Sequence, residues 1–212
     1  MAQPDDKSED LLTRLRAGDR QALADLFARQ RDRLWRVADF RLDPRLRRRI
    51  DADDVLQQAY LDAALRLDHF QGDSLTSAFV WLRLVVTQTL VEVHRTHLGA
   101  QMRAAGREVS LRDGGGFDGT SVSLARQIIG QFTSPSQAAV REETLAQLEQ
   151  ALASMDPIDR EVLALRHYEE LSNSEVAAVL GIQQKAASIR YVRALARLKV
   201  ILSELHGFGS SG

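Results

Sequence analysis

The sequence predicts an all-α fold of two helical domains joined by a flexible linker. Apolar residues recur at three- and four-residue steps in both halves of the chain, which is the spacing of one helix face. Between the halves, residues 104–133 lose this periodicity and include a glycine-rich run. Residue types that cap helix N-termini also precede the periodic segments, at Asp19, Asp51, Asp156 and Ser172.

Composition excludes several classes of protein. The 212 residues are 44% hydrophobic and 27% charged, as in a soluble globular chain and unlike a disordered or collagenous one. There is no run of 18 apolar residues, so we expect no membrane-spanning helix, and the acidic start MAQPDDKSED lacks the apolar core of a secretory signal. The chain has no cysteine, which excludes disulfides, thiolate nucleophiles and cysteine-bound zinc. A cytoplasmic location fits these features.

The net charge of −1 hides an uneven distribution. Between Arg141 and Gly181 there are nine acidic and three basic residues, whereas between Ile182 and Leu205 there are five basic and one acidic. A near-neutral chain that ends in a basic helix suits a protein that touches DNA locally and another partner elsewhere.

Three helices are predicted in the first half. Asp19 begins the first helix and Asp43-Pro44 ends its pattern; the second begins at Asp51 to Asp54 and is followed by the polar loop 71–74. Valines in the segment 79–98 favour a strand, but the segment is too long for one and its apolar spacing is helical, so we predict a third helix. The apolar faces of the first two are Leu23, Leu26, Phe27, Leu34, Val37 and Ala38, and then Leu56, Tyr60, Ala63 and Leu67.

The run DGGGFDG at 113–119 is interpreted as part of a linker. A phosphate-binding loop would need a preceding strand and a following Lys-Ser/Thr, and neither is present. The predicted organisation is therefore a domain at 11–103, a flexible linker at 104–133 and a domain at 134–205. Within the second domain, helix starts are predicted at Ser134-Pro135, at Asp156-Pro157 and at the capping box of Ser172 and Glu175.

The segment from Ser172 to Lys199 has the pattern of a helix-turn-helix. A short helix ends at Leu180, Gly181 can adopt the positive φ of a helix end, and a basic helix follows at once. In such a motif the N-terminal side chains of the second helix reach the bases, and basic residues further along reach phosphates. The alternative is a plain helical hairpin with a solvated basic face. The base-reading candidates are Gln183, Gln184, Lys185 and Ser188, and the phosphate candidates are Arg190, Arg193 and Arg197.

Two charged clusters and the tryptophans leave alternatives open. The acids at 51–54 fit a helix N-terminus or a docking surface better than a metal site, because the calcium-loop pattern is absent. The cluster Glu92, His94, Arg95 and His97 lacks the HExxH pattern and fits a polar face against nucleic acid or solvent. Trp35 and Trp81 fit core packing, with base stacking as the alternative for Trp81. We predict no catalytic residue, no metal and no cofactor.

The order of these features resembles a known family. DADDVLQQAYLDAALRL, FVWLRLVVTQTLVEVHR and MDPIDREVLALRHYEELSNSEVAAVLGI, followed by the helix-turn-helix, resemble the extracytoplasmic-function (ECF) group of bacterial RNA polymerase sigma factors of the sigma-70 family. The resemblance runs from Leu11 to Leu205. The wording of HLGAQMRAAGREVSL and AASIRYVRALARLK is similar to planctomycete members.

The resemblance implies roles for particular residues. Asp53, Asp54, Gln57 and Gln58 would dock region 2.2 on the β′ clamp helices of core polymerase. The residues implied to melt and read the −10 element are Gly72, Asp73, Ser74, Trp81, Arg83, Gln88, His94 and Arg95. Those implied to read the −35 element are Gln183, Gln184, Lys185, Ser188, Arg190 and Arg193.

The implied function is promoter recognition and open-complex formation as a dissociable polymerase subunit, without covalent chemistry or a cofactor. The implied partners are core polymerase, through the β′ clamp helices and the β flap, promoter DNA, and an anti-sigma factor or other regulator. The alternative function is a stand-alone helix-turn-helix repressor or activator, and an enzyme with a metal site is a weaker third. Gln88, where many members have Asn, and Gln183, where Ser or Thr is common, depart from the family pattern.

Overall fold

The computed structural model describes residues 4–104, 120–132 and 138–205, with side chains left undescribed at 4–7, 98–104, 131–132 and 138–141. Within these ranges every regular element is a helix, which confirms the all-α prediction. The chain divides into two compact units, Met1–Glu108 and Val109–Gly212.

The first unit is built around a long central helix. Leu82, Val86 and Leu90 of this helix are fully buried where it packs against two shorter helices of the unit. The described helices of the unit are α1 (Pro4–Arg16), α2 (Arg20–Arg41), α3 (Ala52–Arg66) and α4 (Leu75–Ala104), with a 3₁₀ turn at Leu67–His69.

Two aspartates begin helices as the sequence predicts. Asp19 accepts hydrogen bonds from the backbone N–H groups of Gln21 and Ala22 at the start of α2. Asp51 and Asp54 form a reciprocal capping box at the start of α3. Such caps satisfy amide groups that a helix N-terminus leaves without partners, and each contributes about 1 kcal/mol.

The stretch Leu75–His97 of α4 is long and apolar enough to cross a membrane by length and composition. Its apolar side chains pack against α2 and α3, so in this structure it is the core helix of the unit. Burial inside a helical unit explains the valine-rich composition that made the segment ambiguous between strand and helix.

In the second unit, the described helices are α5 (Thr120–Phe132), α6 (Ala138–Ala153), α7 (Pro157–His167), α8 (Asn173–Leu180) and α9 (Gln184–Glu204). The unit's core includes Leu148, Leu152, Val162, Leu165 and Ala194, all completely buried. Asp156 caps α7 ahead of Pro157, and Ser172 and Glu175 form the predicted capping box of α8.

Two elements differ from the sequence predictions. The linker prediction for 104–133 is wrong over 120–132, where α5 buries Leu124, Ala125 and Ile129 against α6 and α7. Helix α1 was not predicted, although Leu11, Leu12 and Leu15 are its buried face. The rest of the predicted linker, 105–119 and 133, and the Ser134-Pro135 helix start lie outside the described residues.

Candidate nucleic-acid interface

Helices α8 and α9 form the predicted helix-turn-helix. Gly181 has φ +63°, the left-handed conformation that glycine adopts without strain, and ends α8. The Ile182 N–H donates to the carbonyl oxygen of Ala177 at 3.0 Å, which fixes the turn. Gln183, Gln184 and Lys185 are exposed at the start of α9. This is where a recognition helix presents side chains to the major groove.

Ser188 is held within the motif. Its hydroxyl accepts a hydrogen bond from the Asn173 side chain and donates to the carbonyl oxygen of Gln184 at 3.3 Å. Ser188 therefore joins α8 to α9. Ser188 thus makes a contact within the motif, whereas the side chains of Gln184 and Lys185 are exposed to solvent.

Arg190 and Arg193 converge on one carboxylate of α7. Asp159 accepts hydrogen bonds from Arg193 Nε at 2.6 Å, Arg193 Nη2 at 2.8 Å and Arg190 Nη1 at 2.9 Å. Arg190 also lies 3.4 Å from the carboxylate of Asp156, the N-cap of α7. The Asp159 side chain is 7% exposed and that of Arg193 is 56% exposed, so the cluster has a buried centre and a solvent edge. We call Asp159, Arg190 and Arg193 the Asp159 brace.

The brace is strong enough to overcome the cost of burying a charge. Burial alone would raise the pKa of Asp159, but the hydrogen bonds from Arg193 and then Arg190 outweigh it and lower the pKa below its ordinary value. Asp159 is therefore ionised across the neutral range. Its single negative charge offsets only part of the charge of the two arginines, and both arginines fasten α9 to α7. Their assignment as phosphate contacts stays a prediction.

In the first unit, an open groove of about 760 Å³ lies between α2 and α3. Its lining combines apolar side chains, among them Phe27, Leu56 and Tyr60, with an ion pair between Arg31 and Asp53. Phe27 and Tyr60 pack edge to face with ring centroids 5.3 Å apart. The groove is thus an apolar channel with a charged edge.

Of the four residues predicted to dock on polymerase, Asp53 and Gln57 line this groove. Gln57 is exposed and lines it. Asp54 accepts from the Asp51 N–H at 3.0 Å as part of the α3 capping box, and Gln58 donates to Asp62 at 3.0 Å. Substitution of Asp54 would disturb the start of α3 as well as any docking contact.

The same face of α3 exposes two leucines that were not predicted as site residues. The side chains of Leu61 and Leu65 are 56% and 80% exposed. They are four residues apart and so share one helix face. The signal in the sequence was their position outside the apolar stripe of Leu56, Ala63 and Leu67, since an exposed apolar pair next to a groove is typical of a docking surface.

The loop before α4 is tightly ordered. Ser74 and Ser77 cap the start of α4: the Ser77 N–H donates to Ser74 Oγ at 3.1 Å, and the Ser74 N–H donates to Ser77 Oγ at 3.0 Å. A Cβ on Gly72 would lie 2.4 Å from the ring of Phe70 and 2.7 Å from Ser77 Oγ. A side chain at residue 72 would therefore displace this loop. Asp73 and Ser74 are exposed beside it.

Three of the predicted −10 residues are at least partly accessible on α4. Trp81 is partly exposed and packs against Phe70, with ring centroids 5.2 Å apart. Gln88 accepts a hydrogen bond from Arg66 of α3. Arg95 is exposed and pairs with Glu92 at 2.8 Å.

Two of the predicted −10 residues are corrected by their burial. Arg83 is 7% exposed and His94 is 4% exposed, so neither presents its side chain to DNA in this structure. His94 Nε2 instead accepts the Asp43 N–H at 3.1 Å, tying α4 to the turn after α2. Burial lowers the pKa of His94; the Asp43 carboxylate opposes this effect and the Arg45 guanidinium adds to it, so the neutral ring that can accept this bond is favoured. Helical spacing places residues on a face but does not show which face is covered.

Part of the chain matches a known family, and most of its length is similar to known proteins. Residues 151–200, which include α7, α8 and most of α9, match the family model "Sigma-70, region 4". The chain is 27% identical over 199 residues to RNA polymerase sigma factor CnrH of Cupriavidus metallidurans, covering 94% of this chain and 96% of that protein. It is 22% identical over 194 residues to ECF RNA polymerase sigma factor SigW of Bacillus subtilis, covering 92% and 96%. A solved structure described as CnrH in complex with the cytosolic domain of CnrY is 22% identical, covers 92% of this chain and 97% of that one, and superposes with a TM-score of 0.49.

Proposed function

We propose that this chain is an RNA polymerase sigma factor of the extracytoplasmic-function group and that it directs promoter-specific transcription initiation. The observation that carries the proposal is the helix-turn-helix of α8 and α9, with its exposed glutamines and lysine, inside a match to sigma-70 region 4. Promoter reading by such a subunit is binding and positioning, and it needs no covalent step.

The second unit reads the −35 element. Gln183, Gln184 and Lys185 enter the major groove from the start of α9, where Gln can bond adenine and Lys can reach guanine or phosphate. The Asp159 brace fixes how α9 packs against α7. Arg197, further along α9 and exposed, is then the better candidate for a phosphate contact that is not shared with an internal carboxylate.

The first unit binds core polymerase through the groove between α2 and α3. Its apolar lining and the exposed Leu61 and Leu65 fit an amphipathic helix, and the Arg31–Asp53 pair with Gln57 offers polar contacts at the edge. The β′ clamp helices are the proposed occupant. The β flap is the proposed partner of the second unit.

The loop 71–74 and the exposed face of α4 capture the −10 element. An unpaired base can stack on an aromatic side chain and be read by polar groups around it. Trp81, Gln88 and the ordered Asp73 and Ser74 provide both kinds of group. Arg83 and His94 support α4 from within and are left out of this assignment.

Several finer points complete the proposal. A first domain at 11–103 and a second at 134–205, extended to Thr120 by helix α5, are joined by the intervening segment. The protein acts in the cytoplasm, belongs to a planctomycete-like subgroup, and is controlled by an anti-sigma factor or other regulator. The motif wording quoted above supports the subgroup, and family membership supports the regulator.

Run-off transcription with core polymerase on genomic fragments tests the function. We expect discrete transcripts that appear only when both this protein and core polymerase are present. A variant with Leu61→Glu should lose transcription and core binding together, because a charge on the docking face opposes burial. Glu142→Gln, on an exposed position of α6, is the matched control and should change neither.

A further inference from the structure

The turn between α2 and α3 carries four arginines in the run DPRLRRRID, and the proposed function does not use them. The turn is ordered: the N–H groups of Leu46 and Arg49 donate to the carbonyl oxygens of Asp43 at 2.9 Å and Leu46 at 2.8 Å, respectively. Leu46 is 4% exposed and anchors the turn in the core. These contacts fix the backbone positions from which the exposed side chains of the turn extend.

Two of the four arginines form ion pairs with nearby aspartates. Arg45 bonds both carboxylate oxygens of Asp43, with Nη2 at 2.7 Å from Oδ2. Arg47 pairs with Asp39 at 2.5 Å. These pairs neutralise the neighbouring aspartates of α2 and of the turn.

Arg48 and Arg49 are different. Both are exposed, and neither takes part in a salt bridge among the residues that the structure describes. The acids that follow are engaged elsewhere, since Asp53 pairs with Arg31 and Asp51 caps α3. Two consecutive exposed arginines therefore carry charges that no described acid compensates, a pattern typical of an anion-binding surface.

The turn contacts α4, the helix to which the proposed function assigns the −10 element. His94 of α4 accepts the backbone N–H of Asp43 at 3.1 Å, so the turn packs beside the C-terminal half of α4. Arg95, the next residue of α4, is exposed, as is His97. The buried histidine thus places the arginine turn next to the proposed −10 helix.

We propose that Arg48 and Arg49 bind backbone phosphates of duplex DNA that runs along the C-terminal half of α4. Arginine suits this role because its planar guanidinium can pair with phosphate through two hydrogen bonds. The inference rests on the proposed function, which places the −10 element on α4. It adds a sequence-independent contact that positions the duplex and does not read bases.

The test is the salt dependence of promoter binding by reconstituted holoenzyme, with core binding measured separately. Arg48→Gln with Arg49→Gln should lower the slope of log affinity against log salt by about two units, since each phosphate contact contributes about 0.9. Arg48→Lys with Arg49→Lys should keep most of the slope because the charge remains. The matched control is Arg16→Gln with Arg20→Gln: these exposed arginines flank the other end of α2, about 30 Å of helix away, and their loss should leave the slope unchanged.

Each possible result either supports or contradicts the proposed phosphate contact. An unchanged slope in the Arg48/Arg49 double variant, or an equal loss in the control, overturns the phosphate contact. A loss of core affinity overturns it as well, because the turn would then contact an acidic polymerase surface. Failure of the wild-type holoenzyme to bind any promoter fragment contradicts the proposed function itself, and this is seen before any variant is compared.

Discussion

Replacement of Asp159 by Asn should loosen the second unit and leave the first unit unchanged. Asp159 is the shared acceptor of Arg190 and Arg193, and it joins α7 to α9. An asparagine of the same shape keeps one oxygen but places an NH₂ donor against guanidinium donors. The brace would lose most of its hydrogen bonds without creating a large cavity.

The expected cost follows from the burial of the three groups. Charge-assisted hydrogen bonds contribute about 1.5–3 kcal/mol each, and removing one partner of a fully buried pair costs about 3–5 kcal/mol. Here Asp159 is 7% exposed but Arg190 and Arg193 are 27% and 56% exposed, so water can replace part of the lost interaction. We expect a loss of about 2 kcal/mol in the free energy of unfolding of the second unit. In a unit of roughly 100 residues this lowers Tm by about 8–15 °C.

The chain provides its own control for this measurement. Both tryptophans, Trp35 and Trp81, lie in the first unit, so tryptophan fluorescence reports on that unit alone. Far-UV circular dichroism reports on helices of both units. Asp159→Asn should shift the helix signal of the second unit to lower temperature while the tryptophan transition stays in place, and Glu142→Gln should shift neither.

The pH dependence of the stability of the second unit is a second measurement that tests the same variant. Because the folded-state pKa of Asp159 is lowered, its stabilisation is fully present above the ordinary value of 3.8 and is lost as pH falls through the folded pKa. The wild-type second unit should lose this increment in acid, and the Asn variant should have none to lose. An Asp159→Asn protein that unfolds like wild type in the second unit would refute the brace.

Three further predictions concern other parts of the molecule. The neutral His94 ring accepts the Asp43 N–H, and the pKa of His94 in the folded protein lies below 6.5. This contact should therefore stabilise the first unit fully above pH 6.5 and progressively less as the pH falls below 6.5. Tryptophan-detected unfolding from pH 7 to 5 should show this decline, and His94→Gln should reduce the pH dependence. Gly72→Ala should destabilise the first unit by about 1–3 kcal/mol and change Trp81 fluorescence through the displaced Phe70 ring, as urea titration would measure. Lys185→Ala should cost about 1–3 kcal/mol on the preferred −35 sequence and flatten base preference in holoenzyme binding to promoter variants; retained preference would contradict its role.

Most of the helices and their caps could be predicted because their signals are local. Asp19, Asp51, Asp156, Ser172 and Gly181 act through bonds within a few residues of themselves, so their roles can be read from the sequence nearby. Helix α5 was not predicted, because its apolar periodicity directly follows a glycine-rich run that is typical of a linker.

The site residues were harder to predict because their roles depend on distant partners. Arg193 and Asp159 are 34 residues apart in the sequence, and His94 and Asp43 are 51 residues apart, so no local sequence pattern predicts either contact. Arg83 has the residue type of a DNA contact but lies on a covered face. Charge and spacing indicated which residues could bind DNA, and burial then decided which are accessible.

Dependence of promoter binding on core polymerase tests the central claim most directly. Fluorescence anisotropy of a labelled promoter fragment would be measured with the protein alone, with core polymerase alone and with both, against a fragment whose −10 and −35 elements are scrambled. A sigma factor should give specific binding only in the third mixture, and the Leu61→Glu variant should abolish it. Equal specific binding by the protein alone would contradict the account and indicate a stand-alone repressor or activator.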